Sequence, residues 1–509
     1  MSEFKNYNGR SKSAKGSEGF VRRASQSDLN DARPKGGFSA RADHKDFPGL
    51  RSTYSQANFH VEGTPKKHAK LRLGLRVFKR LAFASTVLVL MIGIWLGVKS
   101  FLTARDVFDG GGGGSLALNR SVDPSQLNQE GDGRINILLL GKGGEGHDGG
   151  ELTDSIIVAS IDPLDNSAGL LSIPRDLYVD VPGLWSMKIN AAFVTARDKN
   201  ISQGASFDRA VDAGLDTLED VVEQTIGIPI HYNVMVDFVA FEESVDALGG
   251  IEVFLEERVF DDAFLPELLL DVGPGAETLD GEEALALART RKTSVRGDFD
   301  RSLRQRLILL AIKDKVLSAG TFANPVRLSQ LLDVIGDNVV TNISLDEANQ
   351  LLQIAQSISS DSIQSLSFVD GVQLVQSTFI GDQSVVIPVA GVRDFSEIQT
   401  YVRNQLVDSF IKDEAATITV LNGAGITGLA TRRASELESY GYNVVNVDDA
   451  STFDYLNTEI IRTGEIDKPF TSSFLETRLN ATTETSTDPA LRVFGTDFVI
   501  IVGANESNN

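Results

Sequence analysis

The feature that most constrains this chain is an uncharged apolar run, residues 81–98, which reads LAFASTVLVLMIGIWLGV. As a helix, a run of this length spans roughly 27 Å, which matches the hydrocarbon core of a bilayer. The preceding residues 66–80, KKHAKLRLGLRVFKR, hold eight basic side chains, one of them a histidine. Basic flanks stay on the cytoplasmic side. We therefore predict one transmembrane helix over 81–102, with a cytoplasmic N-terminus and a large extracytoplasmic C-terminal region.

Two other interpretations of the apolar run are a buried core helix and a cleaved signal peptide, which would need a much shorter leader. Residues 1–80 carry 18 Lys and Arg against 7 Asp and Glu and show no sustained apolar period. This composition predicts a basic disordered tail, and the alternative is an arm that binds nucleic acid or anionic lipid.

Residues 103–131 include five consecutive glycines from Gly110 and predict a flexible linker. The chain has no cysteine, which excludes disulfides, thiolate nucleophiles and Cys-zinc sites.

The sequence from residue 132 to 410 alternates short apolar runs with amphipathic stretches. The runs at 135–141, 155–162 and 168–173 predict buried strands, and the apolar spacing over 206–226 predicts a helix. Residues 228–238 predict a further strand, and residues 279–291 and 300–320 predict two further helices. This alternation indicates an α/β sandwich. Residues 415–505 repeat the pattern on a smaller scale and predict a second α/β domain.

An arginine-rich segment, residues 284–306, contrasts with its acidic surroundings. Its arginines are at positions 289, 291, 296, 301, 304 and 306. Because a guanidinium is a planar fork of donors that stays charged when desolvated, this density predicts a grip on phosphate. Spacings of three and four predict that Arg301, Arg304 and Gln305 share one helical face, with Leu303, Leu307 and Leu310 toward the core. We expect Arg296 and Arg306 to be surface charges.

A second set of charged residues lies near the predicted sheet. Arg175 and Asp176 follow the strand 168–173, and Asp154 precedes the strand 155–162. Ligand groups gather beyond the carboxyl ends of strands in α/β sheets. A shared site is plausible because carboxylates hold divalent cations and arginines hold phosphate oxygens. The alternative is a solvated surface pair.

Several short motifs in this body occur in a set order. They are Thr153-Asp154-Ser155, LSIPRD from Leu171, KINAA from Lys188, VDALGGI from Val245, LDGEEAL from Leu279, Arg289-Thr290-Arg291, and GDFDRSLRQ from Gly297. With these motifs, residues 132–410 resemble the LytR-CpsA-Psr family of bacterial cell-envelope phosphotransferases. Residues 415–505 resemble the LytR C-terminal domain that follows in many relatives. The resemblance implies an α–β–α sandwich with a central mixed sheet.

The resemblance also implies an activity at the bacterial cell membrane: transfer of a phosphoglycan from an undecaprenyl-pyrophosphate carrier onto peptidoglycan or another cell-wall polymer. The polyprenyl tail would lie in an apolar pocket, and Mg²⁺ or another divalent cation would assist. The residues that match the family's catalytic phosphate ligands are Arg175, Arg289, Arg291 and Arg301. The residues that match substrate-binding positions are Lys188, Asn190, Arg304 and Gln305. The expected partners are the lipid-linked glycan, the peptidoglycan acceptor and the membrane, with no nucleic acid.

The loop 142–154 departs from the family pattern, because it lacks the two arginines that relatives usually carry there. Asp154 matches a metal-binding aspartate, and Asp148 is the predicted second metal ligand, with Glu145 as the alternative. His147 could act as a base or metal ligand, or it could be an exposed loop histidine. Asp300 replaces a usual glycine and adds a carboxylate near the arginines.

Two other functions remain open from the sequence: a hydrolase of the same class that uses water as acceptor, and a non-catalytic wall-binding or regulatory protein. The C-terminal unit also contains Gly423-x-Gly425-x-x-Gly428, which has the form of a dinucleotide fingerprint. The unit is too short for a full nucleotide-binding sheet, so we expect these glycines to serve a tight strand-to-helix turn.

Overall fold

The structure is a computed structural model that describes residues 114–118, 122–126, 128–144, 149–262, 270–290, 298–318, 334, 339–369, 371–492 and 494–508. Among these residues, every helix is too short or too polar to cross a bilayer. The predicted tail 1–80 and transmembrane helix 81–102 lie outside the described residues and stay predictions.

A six-stranded mixed sheet forms the centre of the larger domain, in the order β11-β6-β1-β2-β3-β12. Its strands are β1 (Ile135–Lys142), β2 (Thr153–Asp162), β3 (Ser167–Ser172), β6 (Tyr232–Asp237), β11 (Val339–Thr341) and β12 (Ile363–Leu366). Strand β2 runs antiparallel to both β1 and β3, and β11 runs antiparallel to β6. Strand β6 pairs parallel with β1, and β12 pairs parallel with β3. This arrangement confirms the α/β fold with a mixed central sheet.

Helices and small hairpins surround this sheet. The helices of the larger domain are α1 (Ala192–Ser202), α2 (Phe207–Ile226), α3 (Phe238–Leu248), α4 (Gly281–Arg289), α5 (Asp298–Leu317), α6 (Leu345–Ser357) and α7 (Ser396–Gln405). The hairpin strands are β4 (Tyr178–Val179), β5 (Met187–Lys188), β7 (Ile251–Leu255), β8 (Val259–Asp261), β9 (Leu270–Val272), β10 (Gly275–Leu279), β13 (Val375–Ile380) and β14 (Gln383–Pro388).

Alternate residues of β1 serve two different cores, as the period of a strand requires. Leu138 and Leu140 pack with α2, for example against Leu218. Ile135 and Ile137 point the other way, into a cluster that α6 covers. The sheet therefore lies between helical layers, and the predicted helix 206–226 is present as α2, which ends where Gly227 adopts φ 74°.

The smaller domain begins with α8 (Ser409–Glu414) and has a five-stranded sheet in the order β16-β15-β19-β17-β18. The remaining elements are β15 (Thr417–Asn422), α9 (Leu429–Ser439), β16 (Asn443–Asp449), β17 (Glu459–Arg462), α10 (Pro469–Leu479), β18 (Thr483–Thr485), α11 (Pro489–Arg492) and β19 (Phe498–Val502). A Cβ on Gly425 would lie 3.2 Å from Phe453, and one on Gly423 would lie 2.9 Å from Tyr455. The glycines thus make room for the protein's own aromatic side chains, as expected of a structural turn.

The described part of the predicted linker 103–131 is packed against the body. Buried Glu130 accepts hydrogen bonds from Arg478 Nε at 2.6 Å and from Tyr442 Oη at 2.8 Å. Asp408, also buried, accepts the backbone N–H groups of Gly131 and Gly133, each at 2.8 Å. These hydrogen bonds join the start of the larger domain to the smaller one, because each buried carboxylate accepts from donors on the other segment.

Candidate active site

The site begins with an ion pair between Asp154 and Arg175. Strands β2 and β3 are antiparallel and align Ile157 with Ser172, so continuing that register places Asp154 opposite Arg175. Arg175 Nη1 lies 2.8 Å from Asp154 Oδ1. Both side chains are partly exposed, at the edge of the sheet. The structure therefore brings together two residues whose proximity could not be read from the sequence.

Two predicted substrate-binding residues lie beside this pair. Asn190 Nδ2 donates to Asp154 Oδ1 at 3.2 Å, which is the same oxygen that Arg175 contacts. Lys188 Nζ lies 2.7 Å from Asp176 Oδ1. Asp176 also lies 3.7 Å from Arg175 Nε. A chain of alternating charges thus runs along this edge and orients the Arg175 guanidinium.

Helix α5 supplies the opposite wall. Arg301 is buried, and its Nη2 donates to the backbone oxygen of Asp154 at 3.2 Å. One turn later, Gln305 accepts from Ser155 Oγ at 3.2 Å and donates to the backbone oxygen of Ala288 at 3.3 Å. Because these contacts reach both β2 and α4, they hold Arg301 and Gln305 at one point between the sheet and the helices.

Arg289 is the last residue of α4, and its guanidinium lies over the Phe238 ring at 4.1 Å from the centroid. Burial lowers the pKa of Arg289, while the charges of Asp154 and Glu242 act in the opposite direction. The group remains a cation, since the ordinary pKa of arginine lies far above neutral pH. A desolvated cation of this kind gains from pairing with an anionic ligand.

Arg304 and Arg306 do not line the site. Arg304 is buried, and its Nη1 donates to the backbone oxygen of Thr290 at 2.9 Å. Arg306 is only 2% exposed, and its Nη1 donates to Ser172 Oγ at 2.8 Å and to the backbone oxygen of Leu366 at 3.2 Å. The prediction that Arg306 is a surface charge was wrong, because acceptors on two strands of the sheet replace its hydration.

The predicted core face of α5 also differs from the structure. Leu307 is 40% exposed, while Arg301, Arg304, Ile308 and Ala311 are buried at intervals of three and four. This buried stripe mixes guanidinium and apolar side chains. Apolar spacing alone could not reveal it.

Two cations that the sequence analysis did not single out lie at the same end of the sheet. Arg197 on α1 forms an ion pair with Glu151, and Lys142 at the end of β1 lies 3.4 Å from the same carboxylate. Burial alone would raise the pKa of Glu151, but Arg197 and Lys142 outweigh it and lower that pKa. The only signal in the sequence is that Lys142 and Glu151 both belong to the loop 142–154.

The donors suited to a divalent cation are few in the part of the chain that the structure describes. No three Asp, Glu or His side chains there are grouped closely enough to hold a metal ion. Asp154 contributes one carboxylate, and its partners Arg175 and Asn190 fix its orientation. The predicted ligand Asp148, its alternative Glu145, and the predicted phosphate ligand Arg291 lie outside the described residues.

The arginines surround the mouth of a cleft. The mouth, a space of about 590 Å³, is lined by Gly141, Asp154, Ser155, Arg175, Phe238, Arg289, Arg301 and Gln305. An adjoining apolar cleft of about 820 Å³ shares five of these residues and continues between β1, β6, α4 and α5. Its deeper walls are Leu139, Ile157, Val234, Val236, Phe241, Leu285, Ile308 and Leu309. A ligand with an anionic head and a long apolar tail fits this combination.

The fold and the site define an α/β protein that presents an arginine-lined anion site at the mouth of an apolar cleft. The chain belongs to the LytR-CpsA-Psr family, whose sequence profile matches residues 115–385. Residues 415–505 match a second profile, described as LytR cell envelope-related transcriptional attenuator. Both domains inferred from the motifs are thereby confirmed.

Relatives with assigned names include the cell wall biosynthesis protein LcpA of Corynebacterium glutamicum, 28% identical over 422 residues, which are 75% of this chain and 79% of that protein. The polyisoprenyl-teichoic acid–peptidoglycan teichoic acid transferase TagV of Bacillus subtilis is 33% identical over 312 residues, which are 57% of this chain and 71% of that protein. The crystal structure of B. subtilis TagV covers 55% of this chain and 98% of its own, with 29% identity and a TM-score of 0.41.

Proposed function

We propose that this protein is a membrane-anchored transferase that moves a phosphoglycan from a polyprenyl-pyrophosphate carrier onto peptidoglycan or another cell-wall polymer. The observation that carries the proposal is the continuity between the arginine-lined mouth and the apolar cleft. A lipid pyrophosphate has the same two parts in the same order. The names of the relatives support the direction of transfer, because LcpA is a cell wall biosynthesis protein and TagV a teichoic acid transferase.

In the proposed reaction, an acceptor hydroxyl attacks the phosphorus that carries the glycan. A new P–O bond forms, the bond to the lipid phosphate breaks, and the acceptor's proton is released. Arg175, Arg289 and Arg301 line the mouth from three elements and would neutralise the charge that gathers on the departing lipid phosphate. Phosphoryl transfer depends chiefly on such positioning and charge neutralisation, so no special nucleophile on the protein is required.

Magnesium is part of this proposal. Mg²⁺ usually binds one or two carboxylates together with substrate phosphates. Asp154 fits that role, since it faces the mouth and its orientation is set by Arg175 and Asn190. When bound there, the ion would add positive charge at the pyrophosphate.

Product analysis tests the proposal and separates it from hydrolysis. The purified full chain is incubated with a polyprenyl-pyrophosphate-linked glycan, with and without peptidoglycan. We expect a phosphodiester-linked glycan on the peptidoglycan and an equal amount of polyprenyl phosphate. Release of lipid phosphate with no product on any acceptor would identify a hydrolase. Tight binding without turnover at any magnesium concentration would identify a binding protein.

A further inference from the structure

The hairpin formed by β4 and β5 carries an exposed tryptophan at its tip. Tyr178 pairs with Lys188 and Val179 with Met187, and the turn between them places Trp185 at the surface, 64% exposed. A large indole exposed to this extent gives up much of the stabilisation that its burial would provide. The face of this indole is therefore open to a ligand in the groove beside it.

The tip is braced from both sides. On one side, Lys199 Nζ on α1 donates to the backbone oxygen of Gly183 at 2.9 Å. On the other side, Arg393 Nη1 donates to Asp180 Oδ1 at 2.5 Å and to Ser186 Oγ at 3.1 Å. The turn that presents the indole is therefore held in place before any ligand arrives, which reduces the entropy cost of binding.

A groove of about 1040 Å³ runs beside the indole, between the hairpin tip and α1. The groove residues that matter for the argument are Gly183, Trp185, Thr195, Asp198, Lys199 and Ser202. Its two charged side chains are of opposite sign, and Asp198 is also bonded to Arg197 at 2.9 Å. The groove thus offers an aromatic face and several hydrogen-bonding groups with no excess charge.

This chemistry matches an uncharged sugar unit. A pyranose ring has an apolar face of C–H groups that can stack on an indole, while its hydroxyls bond to carboxylate, ammonium and hydroxyl groups. A polymer that carries a phosphate on each unit would need a surplus of cations, which the groove does not have. The uncharged glycan backbone is therefore favoured over an anionic donor polymer.

The groove is close to the mouth of the proposed active site. Lys188, at the base of the hairpin, bonds to Asp176, the residue after Arg175. Lys188 is three positions after Trp185, so their Cα atoms are at most about 11 Å apart. A glycan strand that is held at Trp185 and follows the hairpin to its base would bring a unit further along the strand toward the arginines.

We propose that the groove beside Trp185 binds uncharged sugar units of the acceptor glycan strand and so presents the acceptor hydroxyl. This inference rests on the proposed transferase function. Trp185 is here a positioning residue, remote from the phosphorus that reacts. We therefore expect Trp185 to contribute to glycan binding, which can be measured without any turnover.

The binding test uses the full chain carrying Trp95→Phe, which leaves Trp185 as the single tryptophan of the two in the sequence. The probe is the β-1,4-linked N-acetylglucosamine tetramer. We expect a saturable change in Trp185 emission, competition by soluble uncross-linked glycan strands, and no competition by glycerol-phosphate oligomers. An emission spectrum that stays unchanged at millimolar tetramer, or stronger binding of the glycerol-phosphate oligomers, would overturn the inference.

Fluorescence anisotropy of a labelled tetramer then compares the dissociation constants of three variants with that of the wild type. We expect Trp185→Ala to raise the dissociation constant at least about tenfold, and Trp185→Phe to retain most of the affinity because a smaller ring still stacks. Phe379→Ala is the matched control, since Phe379 is 73% exposed on β13 and does not line the groove. Equal binding by Trp185→Ala and the control would also overturn the inference.

The transfer assay separates this inference from the proposed function. Trp185→Ala should raise KM for the peptidoglycan acceptor about tenfold or more, with little change in kcat or in binding of the lipid donor. If Trp185→Ala transfers glycan with an unchanged KM for the acceptor, acceptor binding in the groove is refuted, while the proposed transferase function stands. If the wild-type chain binds the tetramer but shows no transfer, the proposed transferase function is refuted, while glycan binding at Trp185 stands.

Discussion

Arg175 Nη1 lies 2.8 Å from Asp154 Oδ1, so a residue three positions past the end of β3 pairs with the second residue of the antiparallel strand β2. The register between β2 and β3 produces this meeting. The pair forms one wall of the mouth, and Arg301 forms the other by bonding to the backbone of the same aspartate at 3.2 Å. Arg175 and Arg301 therefore both contact Asp154, one at its side chain and the other at its backbone.

Arg301→Ala should abolish most transfer while leaving the fold intact. The guanidinium lies at the mouth, where the transition state gathers negative charge, and loss of one such donor costs roughly 100-fold in kcat. The measurement is the initial rate of lipid phosphate release with the full chain. Arg291→Ala, predicted from the family pattern, should behave alike.

The matched control is Arg258→Ala, since Arg258 is an exposed arginine that pairs with Asp271 in the same domain. Its rate should equal that of the wild type. An Arg291→Ala, Arg301→Ala double variant with normal turnover would contradict the assignment of these arginines.

Arg306→Ala should destabilise the fold without acting on the chemistry directly. Its removal takes away the guanidinium that donates to Ser172 Oγ and to the Leu366 carbonyl. Buried acceptors that lose a charged partner cost about 2–4 kcal/mol in the free energy of unfolding. Urea unfolding measures this loss. The adjacent Leu307→Ala should change the same quantity by less than about 1 kcal/mol, because Leu307 is 40% exposed.

Val236→Phe should obstruct the apolar cleft. Val236 lines the cleft, and a larger ring there would occupy volume that the lipid tail needs. We expect KM for a long-chain polyprenyl donor to rise about tenfold, with a smaller change for a short-chain donor. Val239→Phe is the control, because Val239 is exposed at the surface of α3. Equal effects on the two donors would argue against a tail in this cleft.

Glu219 should make stability depend on pH. Its pKa is raised from 4.5 to about 7, chiefly by burial and also by the negative charge of nearby Asp216. The hydrogen bond from Asn233 Nδ2 at 2.5 Å acts in the opposite direction. Between pH 4.5 and about pH 7, Glu219 holds a proton in the folded chain that it has lost in the unfolded chain. The stabilisation is therefore fully present below about pH 4.5 and is lost as pH rises through 7.

Glu219→Gln removes this titration. Between pH 5 and pH 8, the free energy of unfolding of the wild type should fall more than that of the variant, by at most about 3 kcal/mol. Chemical unfolding at both pH values measures the difference, with Glu252→Gln, at an exposed strand position, as the comparison. Identical pH profiles for wild type and Glu219→Gln would contradict the prediction.

Much of the fold was predictable because its signals are local. The apolar run in β1 predicted a buried strand, and the period of three to four over 206–226 predicted α2. The boundaries of α4 and α5 differed by only a few residues from the predicted helices 279–291 and 300–320. The predicted strand 228–238 is shorter in the structure, since β6 covers Tyr232–Asp237 and α3 starts immediately after it, capped by the Asp237 side chain.

The orientation of the side chains in the arginine-rich segment could not be predicted from local sequence patterns. The sequence by itself determined that a helix lies near residues 300–320, which the structure has as Asp298–Leu317. It also determined that this helix is rich in guanidinium groups and that the ordered motifs belong to one family. Only the tertiary structure decided that Arg301 faces the mouth while Arg304 and Arg306 are buried elsewhere. The physical reason is that a guanidinium is buried wherever the fold supplies acceptors, and the carbonyl and hydroxyl groups that bind Arg304 and Arg306 come from segments distant in sequence.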